Sequence, residues 1–312
     1  MTHQYRSNGK LLITGEYVVL DGALSLALPC RSGQTLTVVE TNHDLLSWKA
    51  LDHKDNVWFS AKIDFFKLKG FSVNCIVETS DPQKAKTLIA ILTEAIKLNP
   101  GFLKNAEGIE AVTKLEFPQN WGLGSSSTLI NNIASWAQVD AFALLWNSFS
   151  GSGYDIACAQ NNTAINYKVA NKHPQIIPVE FNSPFKEHLF FVHLNKKQNS
   201  REGIEHYKKV TKAGKKSASV KAISELTKKI QQAQTLSLFE ELLKEHENII
   251  GDLINLPPIK QRLFKDYKGA IKSLGAWGGD FMLVTGNKEN VCPYFKNKGY
   301  NTIFTYQEII LS

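Results

Sequence analysis

The chain has 312 residues, 43% of them hydrophobic, with 10 prolines, 20 glycines and a formal net charge of +7. That length permits one large domain or two of ordinary size, and the composition reads as globular, with no sign of disorder. The positive balance admits nucleic acid or an anionic small molecule as partner. A solvated basic face explains it as well, because Lys and Arg are dispersed except for a denser region from Lys196 to Lys229. Cys30, Cys75, Cys158 and Cys292 lie far apart and form no CxxC pair, which argues against a zinc site and for a reducing compartment. Met1 to Lys10 is too polar for a secretory signal, and no apolar run reaches the roughly 20 residues of a membrane span. A cytoplasmic protein without membrane contact is expected. No internal repeat of fixed period is present.

Taken in order, Lys10–Thr14, Tyr17–Leu20 and Leu24–Leu28 are short apolar runs, closed by Gly15-Glu16, Asp21-Gly22 and Pro29. Gln34–Glu40 alternates and is rich in Thr and Val, the pattern of a strand. Leu46–Leu51 and Val57–Ile63 form a hairpin pattern around Asp52-His53-Lys54-Asp55-Asn56. Pro82–Leu98 has helical spacing, with Asp81 as N-cap and Pro82 at the first helical position. A strand over Ala111–Phe117 then runs into a Gly- and Ser-rich corner and a helix. A second corner, Ser150–Ala157, precedes a strand at Thr163–Val169. Three prolines and several polar residues over Asn171–Pro184 predict a boundary or long connection. Leu189–Leu194 has the composition of a buried strand, and Ser200 to about Leu256 predicts three charged helices. Pro257-Pro258 breaks that run, and a further helix is expected over Ile259–Leu274, ending at Gly275. Strands are expected at Asp280–Thr285 and Asn301–Thr305. The fold class is α+β, in two domains, 1–170 and 171–312.

The corner Phe117–Thr128 organises the chain. Gly122 and Gly124 allow backbone to approach a ligand closely, and the first helical N–H groups lack partners inside the helix. With the helix dipole, such a corner suits a phosphate, and serine hydroxyls add donors. A serine-capped helix after a glycine turn has the same sequence. Glycine-bearing corners also occur at Gly9–Gly15 and Gly275–Gly279, with Lys10 in the first and an acid, Asp155, in the corner at Ser152–Ala157. Backbone donors, a positioned acid and a lysine are the inventory that phosphoryl transfer requires. Each has a structural counterpart: Asp155 stands at capping-box spacing from Ser152, and Lys10 could be a solvated strand-edge lysine.

In these segments the chain resembles the GHMP kinases. The resemblance rests on Ser7-Asn8-Gly9-Lys10-Leu11-Leu12-Ile13-Thr14-Gly15-Glu16-Tyr17-Val18-Val19-Leu20, on Gly122-Leu123-Gly124-Ser125-Ser126-Ser127, on Ser152-Gly153-Tyr154-Asp155-Ile156-Ala157, and on Leu274-Gly275-Ala276-Trp277-Gly278-Gly279-Asp280, in that order. It implies an N-terminal domain like domain 2 of ribosomal protein S5 and a ferredoxin-like C-terminal domain. It also implies ATP and Mg2+ as cofactors, a small-molecule substrate, and a monomer or homodimer without nucleic acid.

Under the resemblance, Asp155 and Lys10 are catalytic: Asp155 holds the acceptor hydroxyl, and Lys10 lowers its pKa or stabilises the transferring phosphoryl. Gly122, Leu123, Gly124, Ser125, Ser126 and Ser127 wrap the ATP phosphates, with Ser126 on the metal. Glu16, Tyr17, Ser152, Gly278 and Gly279 stand on the substrate side. Two departures are visible. Trp277 replaces a small residue, which predicts a narrowed cleft, and residues 141–154 contain no acid where mevalonate kinases carry a metal-binding glutamate; Asp140 is the nearest. Gly15-Glu16-Tyr17 and Gly278-Gly279-Asp280 lean toward phosphomevalonate kinase, and Gly153–Ala157 toward a bacterial GYDIA-type branch. The expected activity is ATP-dependent phosphorylation of mevalonate or phosphomevalonate. A catalytically silent ligand-binding protein of the same fold and a decarboxylase acting on mevalonate diphosphate are the alternatives. A nucleic-acid binder built on residues 196–229 ranks last, because Tyr207 is its one interleaved aromatic.

Overall fold

The Pro82–Leu98 segment shows how local chemistry sets the elements of the computed structural model, which describes residues 1–72 and 74–311. The Asp81 carboxylate accepts from the N–H groups of Gln83 (3.0 Å) and Lys84 (3.1 Å), and Pro82 costs nothing at a position whose N–H has no helical partner. Ala85, Leu88, Ile91, Leu92 and Ala95 then fall on one buried stripe.

Chain contacts divide the molecule into two units that interleave in sequence. One comprises residues 1–9, 32–119 and 123–160; the other comprises residues 10–31, 120–122 and 161–312. The elements begin with β1 (Thr2–Leu12), β2 (Ser25–Thr41), β3 (Leu45–Leu51), β4 (Val57–Asp64), α1 (Phe65–Lys69), β5 (Ile76–Thr79), α2 (Pro82–Leu98) and β6 (Gly108–Leu115). They continue with α3 (Ser125–Ala137), α4 (Ala141–Ser148) and α5 (Tyr154–Gln160).

In the first unit the sheet order is β5-β4-β3-β6-β2. β3 and β4 form the expected hairpin, closed by Asp52, whose carboxylate accepts from the N–H groups of Lys54 (2.8 Å) and Asn56 (2.9 Å). β6 runs parallel to β3 and antiparallel to β2, a mixed pairing that the α2 crossover makes possible. α3 packs on α2, α4 and α5. Asp140 caps α4 through the Phe142 N–H (2.9 Å), which gives that acid a structural role.

The second unit contains β7 (Ile165–Ala170), β8 (His173–Pro178), β9 (Leu189–His193), α6 (Ser200–Val210), α7 (Ala213–Gln232), α8 (Leu236–Ile254), α9 (Ile259–Leu263), β10 (Ile271–Ser273), β11 (Phe281–Thr285), α10 (Lys288–Asn297), β12 (Ile303–Thr305) and α11 (Tyr306–Ile309). Its antiparallel sheet runs β10-β11-β9-β12, and the chain visits it as strand, helices, two strands, helix, strand. That is the ferredoxin-like arrangement. Phe190, Val192, Phe264, Met282, Val284 and Phe295 form part of its core. The beginning of β2 pairs with β7, and β7 with β8.

Two sequence expectations fail here. The helix expected over Ile259–Leu274 stops at Leu263. Phe264 and Tyr267 turn into the aromatic core, Gly269 lies against the Thr285 carbonyl, and Ile271–Ser273 join the sheet beside β11. Tertiary pairing overrides the helical spacing there. The expected connection over Asn171–Pro184 contains β8; its prolines are tolerated because β8 is an edge strand whose outer N–H positions need no partner. Among the described residues no helix is long and apolar enough to cross a membrane.

Candidate active site

The Gly-Ser corner of the first unit is built as an open helix start. Gly124 takes φ 94°, a left-handed conformation in which a Cβ is disfavoured, and no side chain caps α3. The hydroxyl side chains of Ser126, Ser127 and Thr128 behave differently. Ser127 is buried and its hydroxyl donates back to the Gly124 carbonyl (2.9 Å); Thr128 is buried and donates to Gln34 Oε1 (2.7 Å) and Gly124 O (3.0 Å). Ser126 is exposed. The corner therefore offers main-chain N–H groups and the Ser126 hydroxyl, while Ser127 and Thr128 stiffen the turn from beneath.

Behind it, Ser7 donates to Asn132 Oδ1 (2.7 Å) and accepts from Asn131 Nδ2 (2.9 Å), which ties the start of β1 to α3. Asp155 lies in the first turn of α5, half-buried, in the same unit as the serine corner. Gln160 Nε2 donates to Asn131 Oδ1 (3.0 Å), fixing α5 on α3. Ser152 and Gly153 are buried, and the Gly153 carbonyl accepts from the Ala157 N–H (3.1 Å).

The other residues that the sequence singles out for a site fall in the second unit: Lys10, Glu16, Tyr17, Gly122, Gly278 and Gly279. Gly122 takes φ +68°, and a Cβ there would lie 2.2 Å from the Asp280 carboxyl carbon. The segment before it is clamped. Trp121 meets Phe304 and Phe281 edge-on, at centroid distances of 5.1 Å and 5.7 Å, and the Asn120 carbonyl contacts His193 Nε2 (3.1 Å).

Asp280 has φ 56° and is buried; its carboxylate accepts from the Gln198 N–H (3.1 Å). Burial pushes its carboxyl above the usual carboxylate range, and the positive charges of Lys10 and Lys197 pull it back. Lys10 thus lies within electrostatic reach of the third glycine corner. Gly279 packs against the Lys196 carbonyl and the Gln198 backbone, where a side chain would not fit.

Glu16 lies in a fully buried charge cluster. Lys272 Nζ donates to Glu16 Oε1 and to the Ser273 carbonyl (2.9 Å); Glu247 accepts from the Ser273 N–H (3.1 Å) and hydroxyl (3.4 Å). His246 Nε2 accepts from the Gly15 N–H (3.0 Å), so the imidazole is neutral, and burial holds its pKa well below the ordinary value. Its 3.4 Å approach to Glu16 Oε2 is therefore not an ion pair. The single Nε2 lone pair is spent on the Gly15 N–H, so Glu16 Oε2 has no hydrogen-bond partner among the described residues, and burial pushes the Glu16 carboxyl up to about 7 against the pull of Lys272. Burial likewise pushes Glu247 up to about 8, opposed by Lys272 and assisted by Glu16.

Tyr17, with φ 63°, stacks on Tyr207 at 5.5 Å, and its hydroxyl accepts from the Trp277 N–H (3.0 Å). Trp277 itself is 4% exposed and lies beside Gly251 of α8. The ring expected to narrow a cleft is packed in the interior of its unit.

Sequence reasoning did not find Lys272, His246 or Glu247, and it did not assign a role to Asp280. His246 and Glu247 did leave a signal: they continue the buried stripe Phe239, Leu242, Leu243, Ile250 of α8, an unusual place for polar side chains. Among the described residues, no three His, Cys, Asp or Glu side chains converge on a metal position.

No protein-family model matches the chain, and no curated protein matches it in sequence. Solved structures match over nearly all of it. It is similar to the mevalonate kinase of Methanococcus jannaschii, at 16% identity and TM-score 0.70, covering 100% of this chain and 99% of that one. It is similar to the phosphomevalonate kinase of Streptococcus pneumoniae in complex with phosphomevalonate and AMPPNP, at 15% identity and TM-score 0.68, covering 95% of each chain. It is also similar to the galactokinase of Lactococcus lactis complexed with galactose, at 14% identity and TM-score 0.68, covering 99% of this chain and 93% of that one. With the glycine corners, the ferredoxin-like sheet and these full-length likenesses together, the chain has the GHMP kinase fold.

Proposed function

We propose that this protein is an ATP-dependent small-molecule kinase of the GHMP type, acting in the cytoplasm on mevalonate or phosphomevalonate. The observation that carries the reading is the start of α3, a left-handed glycine followed by a helical turn with no side-chain cap. Uncapped N–H groups and the helix dipole at that point favour the phosphates of a nucleotide. The fold supports the reading, because structures similar to this one are kinases and one of them holds AMPPNP.

In this reading the backbone of Gly122–Ser127 cradles the phosphates, and the clamp on Trp121 and the packing of Gly122 on Asp280 hold the entry to that loop still. Asp155 orients the acceptor hydroxyl and takes its proton. Lys10 stabilises the charge developing on the transferred group. Tyr17, Ser152, Gly278 and Gly279 shape the acceptor side, with Glu16 holding the first glycine turn from behind. Mg2+ fits the exposed Ser126 hydroxyl as one oxygen ligand, with phosphate oxygens and water as the rest. When bound, the metal neutralises phosphate charge. The positive balance of the chain suits an acceptor that already carries a phosphate.

The test is ADP production with a panel of hydroxylated and phosphorylated acceptors, mevalonate and 5-phosphomevalonate among them, repeated with Asp155→Asn. The variant should lose about 10²–10⁴-fold in turnover while still binding AMPPNP. Full activity in Asp155→Asn would remove that residue from the mechanism. Carbon dioxide release from mevalonate diphosphate would replace the kinase reading with a decarboxylase.

A further inference from the structure

A pocket of about 460 Å³ opens in the second unit among α8, α9 and β10, and no residue of the glycine corners lines it. Its apolar surface comes from Pro258 and Ile271, and Lys244, Lys260 and Lys265 contribute ammonium groups around it. Lys244 and Asn248 stand one turn apart on α8, so both face the same side.

The positive charge in this pocket is only partly compensated. Among the described residues, none of the three pocket lysines forms an ion pair. Lys260 donates instead to the Gly269 carbonyl (2.6 Å). Burial and the neighbouring charge of Lys244 push its pKa down, and Glu240 offsets only part of this. Glu247 also lines the pocket, but Ser273 engages its carboxyl, and with its pKa near 8 it carries little negative charge at neutral pH. A concave site with charge of one sign and low-dielectric walls concentrates counter-ions.

We propose that this pocket is a binding site for a small organic phosphate, with the phosphate held by Lys244, Lys260 and Lys265 and a short hydrocarbon part against Pro258 and Ile271. Ammonium groups bind phosphate as point charges without fixed geometry, which suits a rim of flexible lysines. The apolar surface selects for a carbon chain over a bare ion. The site is independent of the kinase reading, because none of these residues belongs to the glycine corners or carries Asp155.

Calorimetric titration of the full chain with n-butyl phosphate tests it, with inorganic phosphate as the headgroup-only arm. Butyl phosphate should bind in low salt, more tightly than inorganic phosphate, and weaken as salt is added. The double variant Lys244→Gln/Lys265→Gln should bind at least about tenfold more weakly while keeping the parental melting temperature. Lys216→Gln, which lies outside the pocket on Asp21, should bind as the parent does. Saturating AMPPNP should leave the titration unchanged. No binding, equal binding by the double variant, displacement by AMPPNP, or inorganic phosphate binding as tightly as the ester would each overturn the assignment.

Discussion

The serine corner of α3 and the buried cluster around Glu16 treat polar groups in opposite ways. At the corner, no side chain among the described residues caps the start of α3, and the Ser126 hydroxyl faces solvent. In the cluster, Glu16, His246, Glu247 and Lys272 are all shut away from water; Lys272 donates to Glu16, Ser273 to Glu247 and Gly15 to His246, while Glu16 Oε2 and His246 Nδ1 have no hydrogen-bond partner among the described residues. Donors at an open helix start can meet a ligand, whereas charges shut away from water act on the fold. The contrast separates where chemistry is expected from where rigidity is expected, although Glu16 and Lys10 come from the same glycine motif.

The harshest way to break this comparison is Lys272→Met. It would leave the Glu16 carboxyl buried with no cation, at a cost of about 3–5 kcal/mol in stability by chemical denaturation. A loss below about 1 kcal/mol would show that the cluster does not hold the unit. Gly122→Ala is milder. Its Cβ would meet the Asp280 carboxyl at 2.2 Å from a left-handed backbone, costing about 1–3 kcal/mol. Gly214→Ala, with nothing within 4 Å and a place in the first turn of α7, should be neutral or stabilising.

The smallest effect is on pH dependence. Glu16 and Glu247 hold a proton more tightly folded than unfolded. Their contribution is full below the ordinary value of 4.5 and is lost as pH rises through about 7 and about 8. His246 is depressed below 6.5, so its opposing slope acts only under that value. The melting temperature should therefore fall between about pH 6.5 and 8.5, and fall less steeply in Glu247→Gln. An unchanged slope in that variant would exclude Glu247 as a source of the dependence.

The same contrast explains what was readable in the sequence. The corner is local: glycines, serines and the α3 stripe are contiguous, so spacing alone gives a strand, a turn and a helix. Asp81-Pro82 and the Asp52–Asn56 hairpin are readable for the same reason. The cluster is not local. Glu16 reads as a surface acid beside a turn until α8 and β10 bring His246 and Lys272 to it. Lys272 itself lies where helical spacing predicts a helix, and only the pairing of β10 with β11 places it in a strand. Trp277 misleads in the same way: its size predicts obstruction, but the ring is packed inside its unit beside Gly251 of α8, a neighbour that local spacing does not reveal.

One feature of that cluster reaches into biosynthesis. Glu16 and Lys272 are separated by 256 residues. At roughly 5–20 residues per second, a ribosome releases the acid about 10–50 s before its lysine partner emerges. During that interval the first glycine turn has no cation to close on, and the second unit cannot complete its core. The Glu16 side chain stays without that partner until Lys272 has emerged.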